Sequence, residues 1–130
     1  MNLAPSNKTI DALKSLSLKE ASRIELVWLY GSQANHTADC ASDYDLAIAL
    51  HKECNQADKF IQDLEYQWSN NLDQNISIVD INSVPVPLAY NIIDLGTPLY
   101  IGNDLRLHSE EQRIWSLWSE YAHEHQQHYP

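Results

Sequence analysis

Two short polar motifs stand close together in the chain: Gly31-Ser32 and, after ten further residues, Asp43-Tyr44-Asp45. In a β-strand, residues i and i+2 point to the same face, roughly 6.6 Å apart along the chain, so Asp43 and Asp45 project side by side. Two carboxylates held in this way repel each other unless a cation lies between them, and Mg²⁺ prefers oxygen ligands. The Asp-x-Asp motif therefore predicts a magnesium site.

The Gly-Ser motif predicts the other half of the same site. A glycine lets the backbone turn sharply and lets a ligand come close, while a serine at the start of a helix offers its hydroxyl and free backbone N–H groups to an anion. We predict that Gly31 and Ser32 hold the phosphates of a nucleotide whose metal is bound by Asp43 and Asp45. The metal supplies the positive charge, so an acidic chain is able to bind a nucleotide. An ordinary turn followed by an exposed strand edge is the alternative.

The elements that position these motifs follow from local composition and periodicity. Runs rich in β-forming residues predict strands at residues 23–30, 43–50 and 75–81, and a short edge strand at 98–102 where Pro98 is tolerable. Helices are predicted after Ser6, from Ser32, after Asn55 as N-cap, at residues 88–96 and from Asp104 into the tail. The order predicts a single domain over residues 1–130, of the α/β (α+β) class, with a small mixed sheet packed by helices and a long C-terminal helix.

Apolar spacing predicts which face of each helix is buried. In the helix that follows Asn55, the inward residues are Ala57, Phe60, Ile61, Leu64 and Trp68. In the helix at residues 88–96 they are Leu88, Ile92 and Leu95, and in the last helix they are Ile114, Trp118 and Tyr121. Trp115, Trp118 and Tyr121 are suited equally to a core and to a partner-binding face. Glu110 and Glu111, near the start of that helix, suit its dipole and need no further role.

Composition limits the ligands and the compartment. The net charge is −10, and the eight Lys and Arg residues are scattered along the sequence, which disfavours nucleic acid and favours a small ligand or a basic protein partner. Cys40 and Cys54 have no metal-ligand spacing and are expected to be free thiols in the cytoplasm. No apolar run reaches about 18 residues, so no membrane span is expected. The histidines of the tail, His123, His125 and His128, predict a solvated segment rather than a metal site.

The spacing of Gly31-Ser32 and Asp43-x-Asp45 resembles the hallmark of the DNA polymerase beta-like nucleotidyltransferase superfamily. The short chain, "LYGS", "SDYDLAIAL" and "PLYIGND" before a long helix resemble one branch, the minimal nucleotidyltransferase (MNT) antitoxins of HEPN/MNT toxin–antitoxin pairs. The resemblance implies Mg²⁺-dependent transfer of AMP from ATP to a tyrosine of a HEPN-family ribonuclease toxin. It also implies that Asp43 and Asp45 hold Mg²⁺ and that Gly31 and Ser32 hold the triphosphate.

The third strand departs from the family pattern. Ser77 stands where the first aspartate of that pattern belongs, and Asp80 stands at the second. Since the two positions face opposite sides of a strand, Asp80 joins the catalytic set with Asp43 and Asp45 only if the register shifts or bulges. Asp73, in the preceding loop, is the other candidate. A protein without the third carboxylate that inhibits the toxin by binding and occlusion is the alternative function.

Overall fold

In the described part of the chain, four helices and four strands follow one another in nearly the predicted order. The computed structural model describes residues 7–31 and 44–126. The elements are α1 (Asn7–Lys19), β1 (Ile24–Tyr30), β2 (Tyr44–Leu50), α2 (Ala57–Leu72), β3 (Ile76–Asp80), α3 (Val86–Leu95), β4 (Thr97–Ile101) and α4 (Asp104–Gln126). Five predictions concern residues outside the described part of the chain: the cap at Ser6, the helix start at Ser32, the side chain of Asp43, the thiol of Cys40 and His128 in the tail.

The four strands form one mixed sheet in the order β3-β2-β1-β4. β1 pairs antiparallel with both β2 and β4, whereas β2 and β3 are parallel and are joined by the crossover helix α2. The predicted mixed sheet is confirmed. β1 and β2 occupy the centre of the sheet, and they are the two strands whose ends carry the polar motifs.

Each face of the sheet is covered by a pair of helices. Alternate residues of the central strands point to opposite faces, so Val27, Leu29, Leu46 and Ile48 pack toward α1 and α2, where Trp68 is fully buried. The buried cluster on the other face, which includes residues of α3 and α4, consists of Leu26, Trp28, Ala47, Ala49, Ile81, Ala89, Ile92 and Ile114. The sheet is therefore held rigidly between two hydrophobic layers.

Side chains and a proline occupy the hydrogen-bonding positions at the two edges of the sheet. At β3, the N–H of Ile76 donates to Oγ of Ser69 (3.2 Å) and the N–H of Ile78 donates to Oε2 of Glu65 (2.7 Å), both on α2. At β4, Pro98 has no N–H to donate, and the register with β1 is irregular between Val27 and Trp28.

Two local predictions differ from the structure. The residue before α2 is Gln56 rather than Asn55, in the left-handed conformation (φ 56°) and with no side-chain cap, because the turn before the helix brings neither side chain onto the first N–H groups. Leu95 was predicted to face inward but is 60% exposed, since it lies in the last turn of α3. Trp118 and Tyr121 are half-buried in a stack that begins at Tyr90 and ends at His125, so they contribute to packing.

Candidate active site

The end of β1 turns at Gly31 in a conformation that only glycine adopts easily. Its φ is +76°, in the left-handed region. A Cβ added at this position would lie 2.7 Å from Oδ2 of Asp45, closer than real contacts allow. Glycine is therefore required twice, by the backbone and by the neighbouring carboxylate. The structure brings together the Gly31 of the Gly-Ser motif and the Asp45 of the Asp-x-Asp motif, as the sequence predicts.

Asp45 lies on β2 directly opposite Tyr30, the last residue of β1. Residues opposite each other in an antiparallel pair share a face, and here it is the face covered by α3 and α4. Burial of the Tyr30 phenol, followed by the negative charge of Asp45, raises the pKa of Tyr30 above its usual value of 10.0. Tyr30 is thus a neutral phenol beside the carboxylate. Sequence analysis passed over this residue, although its position directly before Gly31 and its alternation along β1 point to it.

The register of β3 decides which of its polar residues accompanies Asp45. The parallel pairing runs without interruption from Tyr44↔Ile76 through Asp45↔Ser77 to Ile48↔Asp80. Ser77 is therefore the neighbour of Asp45 on the same face. Asp80 lies three residues further along, roughly 10 Å away at about 3.3 Å per residue, and points to the opposite face.

The shift or bulge that would bring Asp80 to the site is not present in this pairing. Asp80 instead accepts a hydrogen bond at Oδ1 from the N–H of Asn82 (2.9 Å), in the turn that follows the strand. The structure thus separates Asp80 from Asp45. β3 does not place the Asp80 carboxylate beside the Asp-x-Asp motif.

Asp73 lies at the same end of the sheet as Asp45 but on the opposite face. It ends α2 with a φ of 52°, and its N–H donates to the carbonyl of Ser69. The Asn75 carbonyl accepts from the N–H of Tyr44 (2.8 Å), which places this loop at the start of β2. α2 packs against the face opposite Asp45. Within residues 7–31 and 44–126, no group of three or more His, Cys, Asp or Glu side chains is arranged to hold a metal ion.

Replacing Gly31 with alanine should lower the free energy of unfolding by about 1–2 kcal/mol, because an L-residue is strained in the left-handed region. The added methyl group must also push the Asp45 carboxylate away from its position. Urea titration followed by far-UV circular dichroism measures the change. Gly102→Ala is the control for crowding alone, since its methyl group would lie 2.5 Å from the hydroxyl oxygen of Tyr100 but its backbone is not left-handed. Equal loss in both variants would contradict the special role of Gly31.

The sequence matches the family described as "Polymerase beta, Nucleotidyltransferase" over residues 13–105, which is most of the chain. The chain belongs to this family. The matched range includes both motifs and all four strands, so the Gly31–Asp45 contact lies in the part that this nucleotidyltransferase-family protein shares with its relatives. No curated protein matches it.

Solved structures similar to this nucleotidyltransferase-family protein come from toxin–antitoxin complexes. One is a crystal structure of a toxin–antitoxin with AMP-PNP (20% identity, TM-score 0.73, covering 92% of this chain and 93% of that chain). Another is a tri-AMPylated Shewanella oneidensis HEPN toxin in complex with MNT antitoxin (18% identity, TM-score 0.70, covering 92% of each chain). A minimal nucleotidyltransferase covers 70% of this chain and 93% of its own (20% identity, TM-score 0.56). Identities this low establish a shared fold.

An ionic cluster at the opposite end of the sheet was missed by sequence analysis. Glu110 of α4 is buried and bonds Nε of Arg106 (2.9 Å) and Nη2 of Arg113 (2.7 Å). Arg106 also bonds Glu25 of β1 (2.6 Å) and the Leu50 carbonyl (2.8 Å). The prediction that Glu110 needs no role beyond the helix dipole is wrong, because this side chain pairs two arginines inside the protein.

The cluster lowers the pKa of both carboxyl groups below their usual value of 4.5. Burial opposes ionisation of Glu110, but hydrogen bonds from Arg113, Arg106 and Asn82 outweigh it. Burial likewise opposes ionisation of Glu25, and hydrogen bonds from Arg106 and Asn103 outweigh it. Both groups are therefore anionic at neutral pH and hold α4 against the ends of β1 and β2.

Proposed function

We propose that this protein is an antitoxin that transfers AMP from ATP, with Mg²⁺, to a tyrosine of a HEPN-family ribonuclease toxin. The observation that carries the proposal is the contact between the left-handed turn at Gly31 and the carboxylate of Asp45. That contact brings Gly31 of the Gly-Ser motif next to Asp45 of the Asp-x-Asp motif, which supports a shared site for phosphate and metal. Membership of the nucleotidyltransferase family supports the chemistry. The fold shared with complexes of HEPN toxin and MNT antitoxin supports the choice of partner.

Asp45, near the start of β2, supplies oxygen donors that suit a magnesium ion. Mg²⁺ is commonly bound by one or two carboxylates together with the phosphates of a substrate, and Asp45, with Asp43 two residues before it, provides such a pair. When bound, the ion neutralises charge on the triphosphate. Gly31 leaves the space beside Asp45 open, and we assign to Ser32, the next residue in the sequence, the role of binding the phosphates. Tyr30 remains protonated beside Asp45 and adds no negative charge there.

The proposed reaction is a substitution at the α-phosphorus of ATP. The phenol oxygen of the toxin's tyrosine forms a bond to this phosphorus, the bond to the β-phosphate oxygen breaks, and pyrophosphate leaves. The phenol proton passes to solvent. A tyrosine phenol, with a pKa of about 10, is far more acidic than an alcohol and needs less help from a base. This acceptor therefore suits a site in which Ser77, rather than a carboxylate of β3, is the neighbour of Asp45.

A protein that inhibits the toxin only by occupying its surface is the second candidate. The separation of Asp80 from Asp45 favours it, because the carboxylate that would activate the attacking hydroxyl is not supplied by β3. The acidic surface of the chain, with its net charge of −10, suits a basic partner. In both cases the protein acts beside its toxin in the cytoplasm and does not bind nucleic acid directly. No helix in the described part of the chain has the length and apolar character needed to cross a membrane.

Catalytic turnover distinguishes an AMP transferase from a protein that inhibits the toxin only by binding to it. A trace of this protein, with ATP and Mg²⁺, should modify a molar excess of its proposed HEPN ribonuclease partner. Intact mass spectrometry should show one or more added AMP groups on the toxin, and peptide mapping should place them on tyrosine. Ribonuclease activity should stay low after this protein is removed. Protection only at stoichiometric amounts, with no mass added to the toxin, would contradict the proposal and support occlusion.

A further inference from the structure

A large cavity lies at the end of the sheet opposite the candidate active site. It has a volume of about 1040 Å³ and opens where β1 begins, β2 ends, and α2 and α4 start. Arg23 and Gly31 flank the two ends of β1, roughly 25 Å apart at about 3.3 Å per residue. Pockets that hold small ligands commonly have volumes of about 300–1,000 Å³. This cavity is therefore large enough for a nucleotide-sized molecule and is separate from the site at Asp45.

The cavity gathers cations that the sequence scatters. Four of the chain's eight Lys and Arg residues line it, together with three carboxylates and His51. The rest of the protein then has four cations and fifteen carboxylates. The cations are scattered along the sequence but not in the folded protein, because the turn before β1 and the segment between β2 and α2 meet at this cavity. The four cations are Arg23, Lys52, Lys59 and Arg106.

Three of these cations are available to a ligand. Arg106 is committed to Glu25 and Glu110, and Glu25 also faces Nδ1 of His51 (3.3 Å). Within the described residues, Arg23, Lys52 and Lys59 form no salt bridge. Arg23 instead lies over the ring of Phe60, 5.2 Å from its centre. The cavity thus offers exposed positive charge beside an aromatic surface.

The N-terminus of α2 adds hydrogen-bond donors to the same cavity. Asn55 and Gln56 line it, and no side chain caps this 16-residue helix. The start of α4, which also borders the cavity, is capped, since Oδ1 of Asn103 accepts from the N–H of Arg106 (3.0 Å). An uncapped helix start carries a partial positive charge and free N–H groups. Asp58, in the first turn of α2, offsets part of this charge.

We infer that this cavity binds a small phosphate-bearing anion, at a site distinct from the one proposed for AMP transfer. Arg23, Lys52 and Lys59 pair with the phosphate, and the first N–H groups of α2 donate to it. Leu105, which lines the cavity and is 75% exposed, provides an apolar surface for an organic group. The inference does not depend on the proposed transferase activity, because it rests on residues at the other end of the sheet.

Calorimetry of the whole protein with AMP tests the inference, in EDTA and at about 0.15 M salt, where exposed charges are largely screened beyond about 8 Å. EDTA removes the metal that nucleotide binding at Asp43 and Asp45 would need. We expect one saturable site. Arg23→Gln with Lys59→Gln should weaken binding at least about tenfold, since two charge-assisted hydrogen bonds are lost. The charge-matched control, Lys8→Gln with Lys14→Gln on the exposed face of α1, should change it less than about twofold, as expected for long-range charge alone.

Inorganic pyrophosphate distinguishes the sources of the phosphate group. Tighter binding of AMP than of pyrophosphate would support a nucleotide-like ligand, and equal or tighter binding of pyrophosphate would support an inorganic one. Absence of saturable binding for both probes would overturn the inference. Equal weakening in the lining and control variants would also overturn it, as would preference for a glutamate-rich octapeptide over both probes, because the cavity would then be a protein-docking surface.

Discussion

Asp45→Asn should reduce AMP transfer to the HEPN toxin by about 100- to 1,000-fold, the usual effect of removing one group that stabilises charge in a transition state. The amide has nearly the shape of the carboxylate, so the space beside Gly31 is kept. Only the charge available to Mg²⁺ is lost. Transfer is measured as radiolabel from α-³²P-ATP incorporated into the toxin, with the unfolding curve of the variant recorded in parallel.

Asp80→Asn is the matched control, since it makes the same chemical change at the other end of the parallel β2–β3 pair. Its transfer rate should remain within about twofold of wild type, as for surface changes away from a site. If Asp80→Asn abolished transfer while Asp45→Asn did not, the register-based reading of β3 would be wrong and the original placement of Asp80 in the catalytic set would stand.

The second large effect concerns stability. Glu110→Ala should lower the free energy of unfolding by about 3–5 kcal/mol, the usual effect of breaking a buried ion pair by removing one partner. It leaves Arg106 without its Nε partner, and Arg106 is only 10% exposed. Glu111→Ala, one residue further along α4, is the control and should change stability by no more than about 0.5 kcal/mol. Urea titration measures both variants, and similar losses would contradict the importance of the cluster.

Acid should weaken the same cluster. Because the folded-state pKa values of Glu110 and Glu25 lie below the usual 4.5, their contribution is fully present above about pH 4.5 and is lost as the pH falls through the folded-state values. Glu110→Gln removes one of the two groups, so its free energy of unfolding should fall less steeply below pH 4.5 than that of wild type. If the free energy of unfolding fell equally steeply in both proteins below pH 4.5, Glu110 would not contribute to the pH dependence of stability.

The sheet could be predicted because its signals are local. Alternation in residues 24–30 and 44–50 and the turn at Gly31 each lie within a few neighbouring positions, and the pairing of Tyr30 with Asp45 follows once the two strands are adjacent. The spacing of the two motifs likewise predicted that Gly31 and Asp45 meet. These parts of the fold and of the site depend on short stretches of sequence.

What could not be predicted depends on contacts between distant parts of the chain. The register of β3, which separates Asp80 from Asp45, is set by how α2 packs across the sheet. The burial of Glu110 depends on Arg106 meeting Glu25, 81 positions earlier. The cavity is formed by cations that no local pattern groups. In each case the local sequence is typical of an ordinary surface residue. The role of the residue follows only from its contacts with residues that are distant in the sequence.

The closed edges of the sheet restrict how any partner can attach. An exposed edge strand offers free N–H and C=O groups on which another chain can continue the sheet, by strand addition or aggregation. Here Ser69 and Glu65 already occupy N–H groups of β3, and Pro98 removes one from β4. In the proposed complex we therefore expect the toxin to contact this protein mainly through side chains on its helices and loops, and two copies gain little from pairing edge to edge at high concentration.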